Sequence, residues 1–404
     1  MRKHAAWLLG IGLVGIGTVL GGAALLAESS LRDQPARSQP TQERPETPPR
    51  REIPALPPAK PVVGEIRFGT TEVPAKTPGA FRLATYNVEN LFDEHDDPAL
   101  TGEQDDLPMT KPIEHREALA AAIRAINADV IALQEVESHD ALIWFRNLYL
   151  SDMGYEHVAS IDAGDGRGIE NSVLSRYPLS NARVWPGASL GGVHPETYGT
   201  RGQPNWLAGE PLEFRRSPLA VDLTIPSGTE IGGVAIDAPF EMTLFVVHHK
   251  SGSGSGYWRE AEAKKVVALM AEVASASPDR PITVLGDFNS VPTDKVLEIY
   301  SHSGMIDTLA GRSTTDPERA KHITHASERT IDFVLVNQAL AAKIVPGSPF
   351  VFGTIVLPRG ADYRSVDPPA GYASDHFPVV VDVFAGGSGT PDKGEDGVKV
   401  RASE

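Results

Sequence analysis

Five short polar segments stand where apolar runs stop, and their side chains are of the kinds that do chemistry. They read Tyr86-Asn87-Val88-Glu89-Asn90, Gln134-Glu135-Val136, Gly286-Asp287-Phe288-Asn289, Thr330-Ile331-Asp332-Phe333 and Ser374-Asp375-His376. Each brings an Asn, Asp, Glu or His to the end of a strand-like stretch. A rigid sheet that delivers such groups from distant points in sequence gathers the ligands of one metal-centred site. Carboxylate and amide oxygens are hard donors of the kind that hold magnesium, or manganese. Histidine beside them suits proton transfer near neutral pH. With no Cys in the chain, a thiolate zinc site, a cysteine nucleophile and a disulfide framework are all excluded.

The elements that must position these groups alternate between strand and helix. Leu83, Thr85 and Asn87 fall on one face of a strand, with Ala84, Tyr86 and Val88 on the other. Glu114 to Asn127 reads as a helix, since Leu119, Ile123 and Ile126 share a face and Glu114 and Glu117 favour its first turn. Val130 to Leu133 is a buried strand ending at Gln134-Glu135. Leu244 to Val247 leads into His248 and His249, and the run Ser251 to Gly256 follows. Tyr257 to Ala274 is a second helix, closed by Ser277-Pro278, and Ile282 to Leu285, Ile331 to Val336 and Pro378 to Val383 are further strands. Pro186 to Arg216, rich in Gly, Pro and Trp, reads as long loops over the rim of the site. The acidic run Asp93, Glu94, Asp96, Asp97, Glu103, Asp105 and Asp106 reads as a solvated loop, because its spacing fits no calcium loop.

The order and wording of the five segments, from Asn87 to His376, resemble the endonuclease/exonuclease/phosphatase superfamily, in its deoxyribonuclease-like form. The resemblance implies an α/β fold: a two-sheet sandwich flanked by helices, with the site at one rim of the sheets. It implies hydrolysis of phosphodiester bonds by an activated water, with Mg²⁺ (or Mn²⁺) held by Glu135, Asp375 and the side-chain oxygen of Asn87. Asp287 would orient the attacking water and Asn289 steady it or the phosphate. Asp332 would fix the tautomer of His376 and raise its pKa, making His376 a base or a cationic phosphate clamp. His248, in Val-His-His-Lys-Ser, matches the second catalytic histidine and would protonate the leaving oxygen or stabilise a non-bridging one. Lys250, Ser251 and Asn171 are the further phosphate contacts, whereas His249 faces the other way and is structural.

The two ends of the chain carry a different message. Arg2 and Lys3 precede an apolar stretch from Ala5 to Ala27 in which Thr18 is the clearly polar side chain. That stretch exceeds the roughly 20 residues a membrane-spanning helix needs, and the apolar core of a cleaved signal peptide is shorter, about 7–15 residues. Residues 1–28 therefore read as a membrane anchor with the body of the protein outside the cytoplasm; cleavage near Ala27 and secretion is the alternative. Nine prolines between Pro35 and Pro61 make residues 29–62 an extended linker. Residues 63–384 form the catalytic domain, and the Gly- and charge-rich 385–404 a tail without a core.

Substrate is the hardest part to read. The net charge of −16 argues against a broad non-specific nucleic-acid surface but leaves room for a compact basic cleft. The segment Thr330 to Val334 lacks the Trp-Cys-Asp-Arg wording of inositol phosphatases, and Phe288 stands where the sphingomyelinase-like branch usually has Met. Gln134-Glu135-Val136-Glu137-Ser138-His139 looks like the deoxyribonuclease-like wording. The expectation is a nuclease-type phosphodiesterase with nucleic acid as substrate and no obligate protein partner. A membrane-tethered lipid phosphodiesterase, a small-phosphoester phosphatase and a catalytically dead surface-binding module are the alternatives. Arg201, Arg215 and Arg216 lining a groove would favour nucleic acid; an apolar rim of Trp185 and Trp206 would favour lipid.

Overall fold

The structure, a computed structural model, describes residues 65–98, 106–199, 201–311, 318–357 and 368–386. The anchor and linker segments, residues 1–62, and nearly all of the tail lie outside the described residues. Among the described residues no helix is long and apolar enough to cross a membrane.

In chain order the elements begin with β1 (Ala80–Leu91), α1 (Ile113–Ile126), β2 (Val130–Val136), α2 (His139–Tyr149), β3 (His157–Ser160), β4 (Glu170–Ser175) and β5 (Leu179–Arg183). Short strands follow: β6 (Ser189–Val193), β7 (Thr197–Tyr198), β8 (Gln203–Pro204) and β9 (Pro211–Glu213). Then come β10 (Leu219–Ile225), β11 (Glu230–Ile231), β12 (Val234–Ala235), β13 (Phe240–His248), α3 (Gly256–Ala276) and β14 (Ile282–Asp287). The chain ends with α4 (Lys295–His302), β15 (Ile306–Asp307), β16 (Asp332–Val336), α5 (Gln338–Ala341), β17 (Phe350–Val351) and β18 (Val379–Phe384).

Two six-stranded mixed sheets carry the fold, in the orders β17-β18-β1-β2-β4-β3 and β15-β16-β14-β13-β10-β5. The strand faces explain how they stack. Phe81 and Leu83 of β1 pack with Leu244 and Val246 of β13 and Leu285 of β14 between the sheets. The alternate residues Ala84, Tyr86 and Val88 face outward under Leu119, Ile123 and Ile126 of α1. On the other side Phe245 and Val247 face Ala263 and Val266 of α3. The result is a helix–sheet–sheet–helix sandwich, the fold that the family resemblance implies, and strands covered on both faces read as continuous apolar runs for this reason.

The parallel pairs β1/β2 and β13/β14 have their carboxyl ends at the same rims as the five polar segments. Here the strands leave ideal geometry. Glu135 takes φ +64°, and the ladders of β2 with both β1 and β4 shift register around it, so β2 runs on through a bulge to Val136 instead of stopping at Gln134-Glu135. Gly286 (φ +139°) allows β14 to lie against β13: a Cβ there would come within 2.0 Å of the Val247 carbonyl oxygen.

Four local expectations are corrected. The first helix starts one residue earlier than its acidic turn suggests, because Pro112 caps it, and it stops at Ile126 with Asn127 in the left-handed region. The second helix extends to Gly256–Ala276. The span Pro186 to Arg216 is not loop throughout, since β6 pairs with β9 and β7 with β8. The acidic run is solvated only in part: Asp93 and Asp106 are buried, and Asp106 Oδ2 accepts a 2.8 Å hydrogen bond from Asp97 N; Glu103 and Asp105 lie outside the described residues.

Candidate active site

One rung crosses three strands of the second sheet. His248 pairs with Asp287, and Asp287 with Asp332. His376 enters just ahead of β18, and its Nδ1–H donates to both Asp332 oxygens at 2.9 and 3.0 Å. That bond fixes the tautomer and turns Nε2 toward Asp287 Oδ2 and Asp375 Oδ1, each 3.8 Å away. On the other side of Asp287, His248 Nε2 lies 3.5 Å from the same Oδ2 and 3.6 Å from Glu135 Oε1. Asn289 N donates to Asp287 Oδ1 at 2.7 Å and its Nδ2 to Oδ2 at 3.0 Å. Thus Asp287, His376, Asp332, His248, Asn289 and Glu135 converge as the sequence predicts, with Asp375 beside His376.

Burial and crowding set the protonation states. Desolvation is the largest effect on His376 and pulls its pKa down, but the carboxylates Asp332, Asp375 and Asp287 outweigh it and hold the imidazole well above its usual range. His248 goes the other way. Burial, with Arg216 and His376 adding like charge, keeps it well below the usual range and neutral. Burial lifts Asp287 to about 6 against the pull of His376. Burial also opposes ionisation of Asp375, yet His376 and His325 hold it at about 2. Two histidines of opposite charge preference therefore flank one carboxyl group poised to take a proton.

The oxygen donors here fit a hard divalent cation. Glu135 and Asp375 both act on the same two buried groups, Lys111 and Glu89. Crowding by Asp375, after burial itself, lifts Glu89 to about 7, the signature of carboxylates gathered without enough positive charge. His325, Asp375 and His376 place ligand atoms within 4.8 Å of one another. Asn87 stands between these carboxylates: its Oδ1 accepts from Glu89 N at 3.0 Å and keeps a second lone pair, while Nδ2 faces Asp287 Oδ2 at 3.3 Å and Glu135 Oε1 at 3.5 Å.

Other predicted residues fall elsewhere. Asn171 is buried, and its Nδ2, which carries two hydrogens, donates to the Ser217 carbonyl at 2.9 Å. Lys250 Nζ donates to Ser251 O at 2.9 Å, and both residues line a neighbouring cleft instead of the carboxylate cluster. His249 is structural, as expected, lying 3.0 Å from the Tyr300 hydroxyl and 3.3 Å from Glu262.

Several site residues escape the sequence reading. Glu89 Oε2 accepts from Tyr372 Oη at 2.7 Å and from Asp375 N at 3.1 Å, tying β1 to the Ser374-Asp375-His376 turn. His325 Nδ1 accepts from Ser327 N at 2.9 Å, which leaves the proton on Nε2 to donate to Asp375 Oδ2 at 3.1 Å. Arg167 Nη2 lies 3.6 Å from Glu135. Glu89 was visible inside a quoted segment; His325 and Arg167 carry no local signal. Glu89, Asn90, Glu135 and Asn289 all take positive φ, a clustering of backbone strain typical of working sites.

A two-sheet sandwich with this acid, amide and histidine rim defines a hydrolase of the phosphoester class. The chain belongs to the endonuclease/exonuclease/phosphatase family, whose sequence model matches residues 84–376. Among solved structures it is similar to the human Nocturnin catalytic domain with bound sulfate, at 18% identity, covering 76% of this chain and 95% of that one, with a TM-score of 0.46. It is also similar to sphingomyelinase C from Streptomyces griseocarneus (14% identity, 75% and 99% covered, TM-score 0.41). A third is the mannosyl-6-phosphatase of Bacteroides thetaiotaomicron (16% identity, 75% and 100% covered, TM-score 0.41). No curated protein matches the sequence.

Proposed function

We propose that the protein is a divalent-metal-dependent phosphodiesterase that cleaves nucleic acid. The observation that carries this reading is the arrangement of two histidines on either side of Asp287, His248 Nε2 at 3.5 Å and His376 Nε2 at 3.8 Å from its Oδ2. A diester has charge to neutralise on its phosphoryl oxygens and an oxygen to release, and two nitrogen groups of different protonation answer both needs. A magnesium or manganese ion on Glu135 and Asp375, with Asn87 beside them, would supply Lewis-acid polarisation of the phosphoryl group. Asp287, held by Asn289, orients the attacking water and takes its proton. His376, cationic through Asp332, clamps a phosphoryl oxygen and passes its Nε2 proton to the leaving oxygen. His248, neutral in the free protein, donates a hydrogen bond to a non-bridging oxygen.

The cleft beside the rim supports nucleic acid over a small phosphoester, since Arg167, Arg215 and Lys250 line it. Arg216 lines it too, but its guanidinium is committed to Asp165 at 2.5 Å, and Arg201 is not among the lining residues. A lipid substrate is the second reading. Exposed Leu107, Met109 and Ile113 form an apolar edge, and residues 5–27 would hold the domain at a membrane, outside the cytoplasm. Trp185 does not add to such an edge, being packed against the second sheet's outer core. The deciding experiment offers the fragment from about Val63, with Mn²⁺, plasmid DNA in parallel with sphingomyelin vesicles, and His376→Ala as control. Metal-dependent nicking that the variant loses supports the nuclease. Release of choline phosphate without nicking replaces it with the lipid enzyme. Fractionating cells that express the full chain, with and without residues 1–28, tests the anchor.

A further inference from the structure

Beside the catalytic rim lies an open cleft of about 830 Å³, within the range of roughly 300–1,000 Å³ of sites that take a small molecule. It is continuous with the chemistry. Arg167 lines it and also lies 3.6 Å from Glu135, and Lys250 and Ser251 line it just after His248. Whatever occupies the cleft is therefore joined to, or abuts, the group being cleaved.

The walls are specific. The buried Asp165–Arg216 pair neutralises itself, and Arg216 also donates to the His249 carbonyl at 3.3 Å, so this pair is structural. That leaves Arg167, Lys250 and the exposed Arg215 as cations, with Glu210 and Glu213 also on the lining. At the mouth stands Trp206, 86% exposed. An indole offers a flat apolar face suited to stacking. Its backbone is nevertheless held on both sides. Asn205 N donates to the Glu196 carbonyl at 2.8 Å, Asn205 Nδ2 donates to the Tyr257 hydroxyl of α3 at 3.1 Å, and Leu207 N donates to Asn205 Oδ1 at 3.1 Å. The ring is presented by a fixed turn, the arrangement that spares a binding partner the entropy of ordering it.

We infer that this cleft is a nucleobase subsite: Trp206 is the stacking platform for a base next to the scissile phosphate, and Arg215 and Lys250 hold the phosphate between them. The inference rests on the nuclease reading above and deepens it. An aromatic face and a guanidinium accept any base, because every base has a π-face and every linkage a charge. A base buried in a duplex stack cannot reach such a platform, so single-stranded nucleic acid is the preferred substrate.

The test uses a thymidine oligonucleotide and an abasic strand of the same length and charge, with Mn²⁺ and the full chain. The wild type cleaves the base-bearing strand roughly tenfold faster or more at subsaturating concentration, by the usual strength of base–aromatic stacking. Trp206→Ala erases that ratio by raising KM for the thymidine strand alone, and Trp206→Phe restores most of it. Arg215→Gln slows both strands alike and reduces the salt slope by about one. A Trp206→Ala protein that keeps the wild-type ratio overturns the subsite while leaving the nuclease standing. A wild type that cleaves neither strand but nicks plasmid DNA overturns the subsite alone; one that cleaves none of the three, yet hydrolyses another phosphoester under the same conditions, overturns the nuclease reading and the subsite with it.

Discussion

The two ends of strand β1 are built on opposite electrostatic plans. At the Arg82 end every charge has its complement. Arg82 donates to Asp382 at 2.7 and 2.9 Å and to the carbonyls of Ile126 and Pro74, while Asp129 meets Lys76 at 2.7 Å and Arg176 at 2.5 Å. At the Asn87 end, a few residues on, Glu89, Glu135, Asp287, Asp332 and Asp375 crowd together with mainly histidine, Lys111 and Arg167 to offset them. Both ends have buried charges at their centre, Arg82 and Asp382 at one, Asp287 and Asp332 at the other. The first uses charge to fix the packing of strands, whereas the second withholds neutralisation and so keeps groups that are ready to exchange protons and ligate a cation.

The sharpest way to break this comparison is Asp287→Asn. On the proposed function, hydrolysis falls by about a thousandfold or more, because the proposed proton acceptor is gone, while the thermal midpoint holds or rises. The sign follows from the carboxyl itself. Its folded pKa of about 6 exceeds the ordinary 3.8, so its contribution to stability is full below pH 4 and is lost as pH rises through 6. Melting curves of the variant between pH 4 and 6 are accordingly flatter than those of the wild type. A variant that unfolds as readily as it loses activity would sink the contrast.

At the other end, Asp382→Ala strands the buried Arg82 guanidinium and costs about 3–5 kcal/mol in urea unfolding, with kcat of the folded fraction unchanged. A selective loss of kcat there would show that the two ends are not separate. Next in size, metal raises the melting temperature of the wild type, by the equivalent of about 2.7 kcal/mol at a concentration 100 times Kd. Glu135→Gln abolishes that rise, and Asp382→Ala keeps it. The smallest effect is on the histidines. In Asp332→Asn the His376 titration, followed by NMR, moves down toward the usual range, since a neutral amide replaces the carboxylate that raises it. The charged imidazole stabilises the fold below the unfolded pKa of about 6.5 and loses that contribution as pH rises through the folded value. The variant's deficit is therefore larger at pH 6 than at pH 9.

What could be read in the sequence follows from how local the causes are. The faces of β1, the outward turn of His249 beside His248 and the convergence of Asp287, Asp332 and His376 all rest on strand alternation and on segments that end where strands end. Glu135 was found too, though not the bulge that aims it, because positive φ at a glutamate leaves no mark in residue type. His325 and Arg167 stayed hidden since each reaches the rim from a loop, and only the folded path sets their distance to Asp375 and Glu135. The Ser217 carbonyl that takes an amide hydrogen of Asn171 likewise lies 46 residues away in the chain, beyond any local pattern.

The rim draws its parts from both halves of the sandwich, Asn87 and Glu135 from one sheet, His248 and Asp287 from the other. Between the sheets the contact is otherwise an apolar interface of Leu83, Leu244, Val246 and Leu285, which holds by area. The polar rim is thus also a stitch across the seam: Asn87 Nδ2 reaches Asp287 Oδ2 at 3.3 Å, and His248 Nε2 lies 3.6 Å from Glu135 Oε1.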